Sequence, residues 1–403
     1  MRERSVLIVG AGVAGLSAAW WLARGGWRVT VLERAANLRT NGYMIGLSGP
    51  GYGVARTMGL LPELERVHRR IEENLYLGRD GKPLLRMRYQ DLLKGLEWIT
   101  LSRAELVAVL HRALPQRVEV RFGVTVEQVH EAGDGVAATL TDGTSVDADL
   151  LIGADGIHSL VRALQFGAEE SFARHLGYRV AAFQAPDTLG LGHDFLSYAE
   201  PGRITELYTL AEGRLATLYA WRSPDHAPVA RDERQAVLRA AFAGAHPHAL
   251  RWIDALAPNE PLYFDDMTLI EMPRWSKGRV LLLGDAAHCL TLLSGQGAGM
   301  AMASAAVLAE ELARGEIGDA LARHEARLRP AIRRLQDRSR KIAGWFIPAT
   351  ERAFAVRNAI MRWAPKPLLA WYFTRSVRSE ILVAGQDLDL PAAQDRLLRA
   401  VAA

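Results

Sequence analysis

Apolar residues fall along this chain in short unbroken runs that stop at glycine. Residues 5–9, Ser5-Val6-Leu7-Ile8-Val9, form one such run, and Gly10 follows. A short apolar run without alternation, closed by glycine, predicts a strand buried on both faces. Residues 14–24 carry good helix formers and end at Gly25-Gly26, and 27–33 reads as a second strand, so the chain opens on a βαβ unit. Residues 150–153 and 279–283 repeat the buried-strand pattern far downstream. Between these runs the pattern alternates. Residues 75–88 predict a hairpin around Asp80-Gly81, and 118–149 predict strands turning at Asp134-Gly135 and Asp142-Gly143. Residues 102–114 predict a helix with Ser102 as N-cap and Glu105 completing a capping box. Further on, Phe183, Phe195, Tyr198, Tyr208, Tyr219 and Trp221 lie in strand-like segments broken by Pro201-Gly202 and Glu212-Gly213, which predicts an antiparallel sheet. From Gly297 the chain reads as mostly helical.

These elements predict a mixed α/β (α+β) fold. A Rossmann-like nucleotide lobe, 1–170 with 271–335, is interleaved with an antiparallel-sheet lobe over 171–270, and helices follow over 336–403. The length of 403 residues is enough for two lobes with a large core. The net charge of +4 is a small difference between 49 basic and 45 acidic groups. Only five of those basic groups are lysines, and no basic block is interleaved with aromatics, so nucleic-acid binding is not expected. Cys289 is the sole cysteine, which rules out an internal disulfide. No signal peptide is read at the N-terminus and no apolar run is long enough for stable membrane insertion, so a cytoplasmic monomer or homodimer is expected.

Three segments carry the chemistry. In Gly10-Ala11-Gly12-Val13-Ala14-Gly15, Gly10 permits the turn after the strand, Gly12 lets backbone approach a pyrophosphate, and Gly15 lets the helix pack on the sheet. The helix N-terminus then offers free N–H groups to phosphate. Glu33, next to Arg34, closes the second strand where a carboxylate can accept from a ribose hydroxyl and would repel a 2′-phosphate. The other two segments are Gly153-Ala154-Asp155-Gly156 and Gly284-Asp285-Ala286-Ala287-His288, each placed directly after a buried strand. Either aspartate alone reads first as a helix N-cap. Together with the first motif they read as ligands to the hydroxyls of one long cofactor.

The combination of Gly10-x-Gly12-x-x-Gly15, Asp155-Gly156-x-x-Ser159-x-Val161-Arg162 and Gly284-Asp285-Ala286-Ala287-His288 resembles the group A flavoprotein monooxygenases, from Val6 to about Leu312. The resemblance implies FAD as cofactor, with Asp155 serving both FAD and NAD(P)H and Asp285 holding the ribityl chain. It implies FAD contacts at Arg103, at Val126 through its backbone to the adenine, and at Arg39 near the flavin. It implies NADH or NADPH as a co-substrate that docks transiently, and molecular oxygen, delivered from a flavin C4a-hydroperoxide to an apolar or aromatic small molecule. In Ser294-Gly295-Gln296-Gly297-Ala298-Gly299-Met300, small residues allow backbone against the flavin ring, and the following helix N-terminus favours the anionic reduced flavin. Close helix packing is the plainer reading of the same glycines.

One departure stands out. Members of the family usually carry a flavin-facing proline between His288 and Gly295, and here Leu292 takes its place. That keeps open a flavin-dependent dehydrogenase, or a cyclase, that retains FAD without inserting oxygen. His288 reads mainly as packing in its turn, and Cys289 as a small buried filler. Phe183, Tyr208, Tyr219 and Trp221, with Leu292, are the candidate walls of a substrate pocket, though each also reads as ordinary core.

Overall fold

The protein is seen here as a computed structural model that describes residues 3–365 apart from 39–42, 90–92, 94, 193–194, 211–212, 258–259 and 364. Arg39 and most of the 336–403 span beyond the last helix therefore lie outside the described residues. A six-stranded sheet runs in the order Ser276–Lys277, Val280–Leu282, Leu150–Gly153, Ser5–Val9, Arg28–Glu33, Glu119–Phe122. It is parallel except at its Ser276–Lys277 edge. The central strands are buried throughout, as their unbroken apolar sequences require.

Register decides what this sheet presents. Val9 lies opposite both Gly153 and Leu32, and Gly153 lies opposite Leu282. The carboxyl ends of the central strands are level, so the loops beginning at Gly10, Ala154 and Leu283 emerge side by side. This is the edge at which parallel sheets bind ligands. Helix Val13–Arg24 covers the sheet and is buried from Val13 to Ala23, and it packs against helix Gly297–Ala313. Helix Arg103–Arg112 starts at the predicted capping box: Glu105 N–H donates to Ser102 Oγ at 3.0 Å and Ser102 N–H to Glu105 Oε2 at 2.9 Å.

The second sheet has seven strands, ordered Tyr263–Ile270, Ala173–Pro186, Arg214–Arg222, Arg203–Thr209, Phe195–Glu200, Glu73–Leu77, Pro83–Arg88. It takes in the hairpin at 73–88, from well upstream of 171–270, through a parallel pairing of Phe195–Glu200 with Glu73–Leu77. Helices Arg234–Ala241 and Pro247–Asp254 cover one face. The opposite face turns towards the first lobe, where Tyr208 Oη accepts from Met44 N–H. It also meets the long helix Ile317–Phe346, where Tyr178 Oη donates to Ala343 O at 3.0 Å. That helix also bonds to the end of the edge strand, where Gln336 Nε2 donates to Ile270 O at 2.8 Å, and reaches the first lobe, where Ser339 Oγ donates to Leu290 O at 2.9 Å. Among the described residues no helix is long and apolar enough to cross a membrane.

Candidate cofactor site

The three motifs meet. Gly10 has φ +108°, and a Cβ there would lie 2.4 Å from Ala154 O. A Cβ on Gly15 would lie 1.9 Å from Gly10 O, so no side chain fits either position. Gly284 has φ +63°, and its Cβ would lie 2.8 Å from Ala14 Cβ. The first glycine turn thus touches the second motif on one side and the third on the other. Arg162, fully buried, joins those two directly. It donates to Ala286 O at 3.0 Å, to Ile157 O at 2.5 Å and to Glu169 Oε2 at 2.5 Å. Burial lowers the pKa of this guanidinium, and the Glu169 and Asp155 carboxylates oppose the shift.

The helix starts around the cleft are bare. Gly12 caps Val13–Arg24 and Gln296 caps Gly297–Ala313, in both cases with no side-chain cap and no acidic residue in the first turn. Their N–H groups and positive dipole ends are free for an anion. Arg103 Nη2 hangs over the first turn, 3.7 Å from where a Gly12 Cβ would sit. Glu33, half-buried, accepts from Ala11 N–H at 3.0 Å and Ala35 N–H at 2.9 Å, bracing the glycine turn against the end of its own strand. The turn before Val126 joins the same corner: Val124 N–H donates to Glu33 O at 3.1 Å. Val126 itself is buried and Arg34 is exposed.

The two aspartates are held differently. Asp155 turns inward and accepts from Ser159 Oγ at 2.5 Å, Leu160 N–H at 2.7 Å and Val161 N–H at 3.1 Å. The N-cap of helix Leu160–Gln165 is Ser159, not Asp155, whose carboxylate instead takes the first two N–H groups of that helix, and Gly156 at φ +82° makes the turn. Asp285 is the exposed residue within an otherwise buried run from Val280 to Leu290. Its carboxyl opens onto the cleft, yet the surrounding protein pushes its pKa up, while Arg103 and a hydrogen bond from Cys289 pull it down.

The small residues before helix Gly297–Ala313 divide in two. Gly299 is buried because a Cβ on Gly51 would lie 2.4 Å from its Cα, which is the close-packing reading. Gly295, at φ +61°, and Gly297 face open space, where an added Cβ meets nothing within 4 Å. Ala298 is half-buried beside them. No protein packing accounts for a bare backbone at Gly297, whereas a planar group lying against it does. A turn no side chain can enter, two uncapped helix starts, an exposed carboxyl in a buried run and an overhanging arginine together fit a bound FAD.

The aromatic candidates of the sheet separate by strand period. Phe183, Tyr219 and Trp221 point to the face covered by helices Arg234–Ala241 and Pro247–Asp254, not to the cleft. Tyr219 Oη donates to Ala249 O at 2.8 Å and its ring meets Phe242 at 5.0 Å, so these three are core of the sheet lobe. Tyr208 and Leu292 lie on the other face. Tyr208 stacks on Phe195 at 5.4 Å, and Leu292 packs against the buried cluster that includes Tyr178, Ile204 and Ile347. Tyr43 and Tyr263, 5.8 Å apart, also stand at this junction. Burial holds the Tyr43 phenol at about 12. Glu206 shares the face with Tyr208, and burial pushes its carboxyl up to about 7.

Sequence reasoning missed Tyr43, Tyr263 and Glu206. The one available signal was an acid inside the otherwise apolar run Ile204-Thr205-Glu206-Leu207-Tyr208. The His288 ring lies tilted against Trp275 with centroids 4.7 Å apart, and burial lowers its pKa to about 4, making it a neutral core residue. Cys289 is buried, and burial raises its thiol well above the usual value. His158, singled out by no motif, bridges Glu169 at 2.9 Å and Asp265 at 3.1 Å.

Residues 3–331 match the family described as FAD binding domain. A flavin-dependent monooxygenase of Legionella longbeachae is 29% identical over 363 residues, covering 89% of this chain and 91% of that protein. Klebsiella pneumoniae HpxO, solved with FAD and uric acid, superposes with a TM-score of 0.78 at 27% identity, covering 94% of this chain and 97% of its own. The tetracycline destructase Tet(51) gives a TM-score of 0.78 at 25% identity, over 95% and 98% of the two chains. The chain belongs to the FAD-binding family of group A flavin monooxygenases.

Proposed function

We propose that the protein is an FAD-dependent monooxygenase that consumes NADH or NADPH and molecular oxygen to oxygenate an apolar or aromatic small molecule. The observation that carries this reading is the meeting of three strand ends around Gly10, with the Asp285 carboxyl left open beside them. In this reading the turn Gly10, Gly12, Ala14 and Gly15, with the start of helix Val13–Arg24, takes the pyrophosphate. Glu33 and the backbone near Val126 take the adenosine end, with Arg34 at its edge. Arg103 lies along the phosphates, and Asp285 takes the ribityl hydroxyls. Gly295, Gly297, Ala298 and Gly299 lie against the ring. The contribution of Asp155 and Gly156 is to shape the loop against Gly10, since the carboxylate already serves its own helix.

When bound, FAD would supply hydride acceptance from NAD(P)H and the activation of oxygen. The chain's own part is position and environment. The start of helix Gly297–Ala313 offers N–H donors and a dipole to negative charge at the ring edge. Tyr208, Phe195, Leu218 and Leu292 exclude water from the space between the lobes. Tyr43 and Tyr208 stay protonated across the working range.

The test is NAD(P)H oxidation with oxygen uptake by purified protein, followed by transfer of isotopic oxygen into product. Leu292 in place of proline favours one other reading, a dehydrogenase or cyclase, which the isotope separates. Product free of label, or FAD that NAD(P)H never reduces across a broad substrate panel, counts against oxygenation.

A further inference from the structure

Glu206 lies in strand Arg203–Thr209 with Ser197 and Leu218 as its neighbours across the sheet, on the face turned towards the first lobe. It is 8% exposed. Among the described residues nothing hydrogen-bonds or ion-pairs with its carboxylate, yet its oxygens are not among the side-chain atoms sealed from solvent. A buried carboxylate without a partner costs several kcal/mol, and chains rarely keep one.

The groups around it do not supply the missing partner. Tyr76, Tyr89 and Tyr208 all feel its charge, and burial holds each phenol above its ordinary value. Their hydroxyls are engaged, Tyr76 with Ser197, Tyr89 with Asn74 and Tyr208 with Met44. Of the cations on this side, Arg357 acts on Tyr76 but donates to Phe346 O and Asn358 Oδ1, and Arg222 donates to Tyr178 Oη at 2.8 Å. Arg203 and Arg86, on this sheet, pair with Glu200 and Glu73. Its other neighbours on this face are aromatic or aliphatic: Leu218 across the sheet, Tyr208 two residues along the strand and Phe195 opposite Tyr208.

We propose that Glu206 is the recognition point of the substrate pocket, and that the substrate carries a protonated amine on an apolar, ring-bearing body. The proposal rests on the reading of this face as the substrate side of a flavin enzyme. An ammonium group supplies the counter-charge that the described residues do not, and the tyrosine faces beside it favour a cation further. A neutral hydroxyl offers one hydrogen bond and leaves the charge uncompensated. The carboxyl, held up near 7, ionises as the amine arrives.

The test is equilibrium binding to the FAD-loaded full chain, by calorimetry, of three probes of one shape: phenethylamine, phenethyl alcohol and hydrocinnamate. The expected result at about pH 8 is that the amine binds at least about tenfold more tightly than the alcohol, with the anion weakest. Glu206→Gln removes that preference and Glu206→Asp keeps part of it. In the wild-type protein amine affinity falls as pH drops below about 7, an outcome that needs no variant to fold. Equal binding of amine and alcohol, tightest binding of the anion, no amine binding, or a preference that survives in Glu206→Gln overturns the proposal. None of these readouts requires turnover. A flavin-loaded protein that oxygenates substrates without amine preference sinks this inference alone. A protein that never holds FAD sinks the functional reading first.

Discussion

Asp285 and Glu206 are both carboxyls raised by burial, and they make opposite predictions. Asp285 faces the cleft opposite Arg103, so its removal acts on the ligand more than on the fold. Asp285→Ala should weaken FAD binding by about tenfold to a hundredfold, the worth of a lost charge-assisted hydrogen bond, with little change in apo-protein melting. Flavin content after gel filtration and dye-monitored melting check the two halves. Glu206 has no partner among the described residues, and its carboxyl sits near 7 instead of the ordinary 4.5. The folded state therefore holds a proton that the unfolded chain has released between those values, and stability falls as pH rises from about 4.5 to about 7. The loss approaches about 3 kcal/mol. Glu206→Gln, which cannot ionise, should melt above wild type at about pH 8, and the gap should close by about pH 5. A variant that melts lower than wild type at the alkaline end contradicts this account of the carboxyl.

At the scale of elements, the glycines around the cleft fall into those the fold needs and those a ligand needs. Gly15→Ala places a methyl 1.9 Å from Gly10 O, and the strain should cost on the order of 1–3 kcal/mol or more. Gly297→Ala places one in open space at a helix start, where alanine is favoured over glycine by up to about 1 kcal/mol. The first variant should melt lower with or without FAD. The second should melt at or slightly above wild type when apo and bind FAD more weakly. Much of this was legible in sequence. Buried strands at 5–9, 150–153 and 279–283, the capping box at Ser102 and the hairpin at Asp80-Gly81 announce themselves because local chemistry dictates them. The sheet aromatics did not. A two-residue period reveals that Leu207 and Tyr208 point to opposite faces, but not which face the helices cover, and that depends on register and tertiary packing. Glu206 was illegible for the same reason: a carboxylate in a strand looks like a solvated edge until the other lobe closes over it.

The described residues form four sheets, and the chain segments of the two largest interleave along the sequence. The hairpin at 73–88 completes the second sheet from inside the first lobe's sequence, and helix Ile317–Phe346 bonds to both. His158 is a third tie, joining the loop after Asp155 to Asp265 on the sheet. Its two carboxylate partners raise its pKa to about 10 from 6.5, so while those carboxylates are ionised its contribution to stability is full below about 6.5 and is lost as pH rises from there through about 10. The side chain is largely exposed, so His158→Ala should cost under about 1 kcal/mol, measurable as a smaller loss of melting temperature on going to alkaline pH. The central claim concerns how the strand ends of the first sheet converge on one cofactor. Its most direct measurement is the bound-nucleotide stoichiometry of the purified chain after dialysis against FAD and NAD together. The account predicts one tightly held FAD per chain and no retained NAD. A colourless protein, or NAD held in the Gly10 cleft in its place, would contradict it.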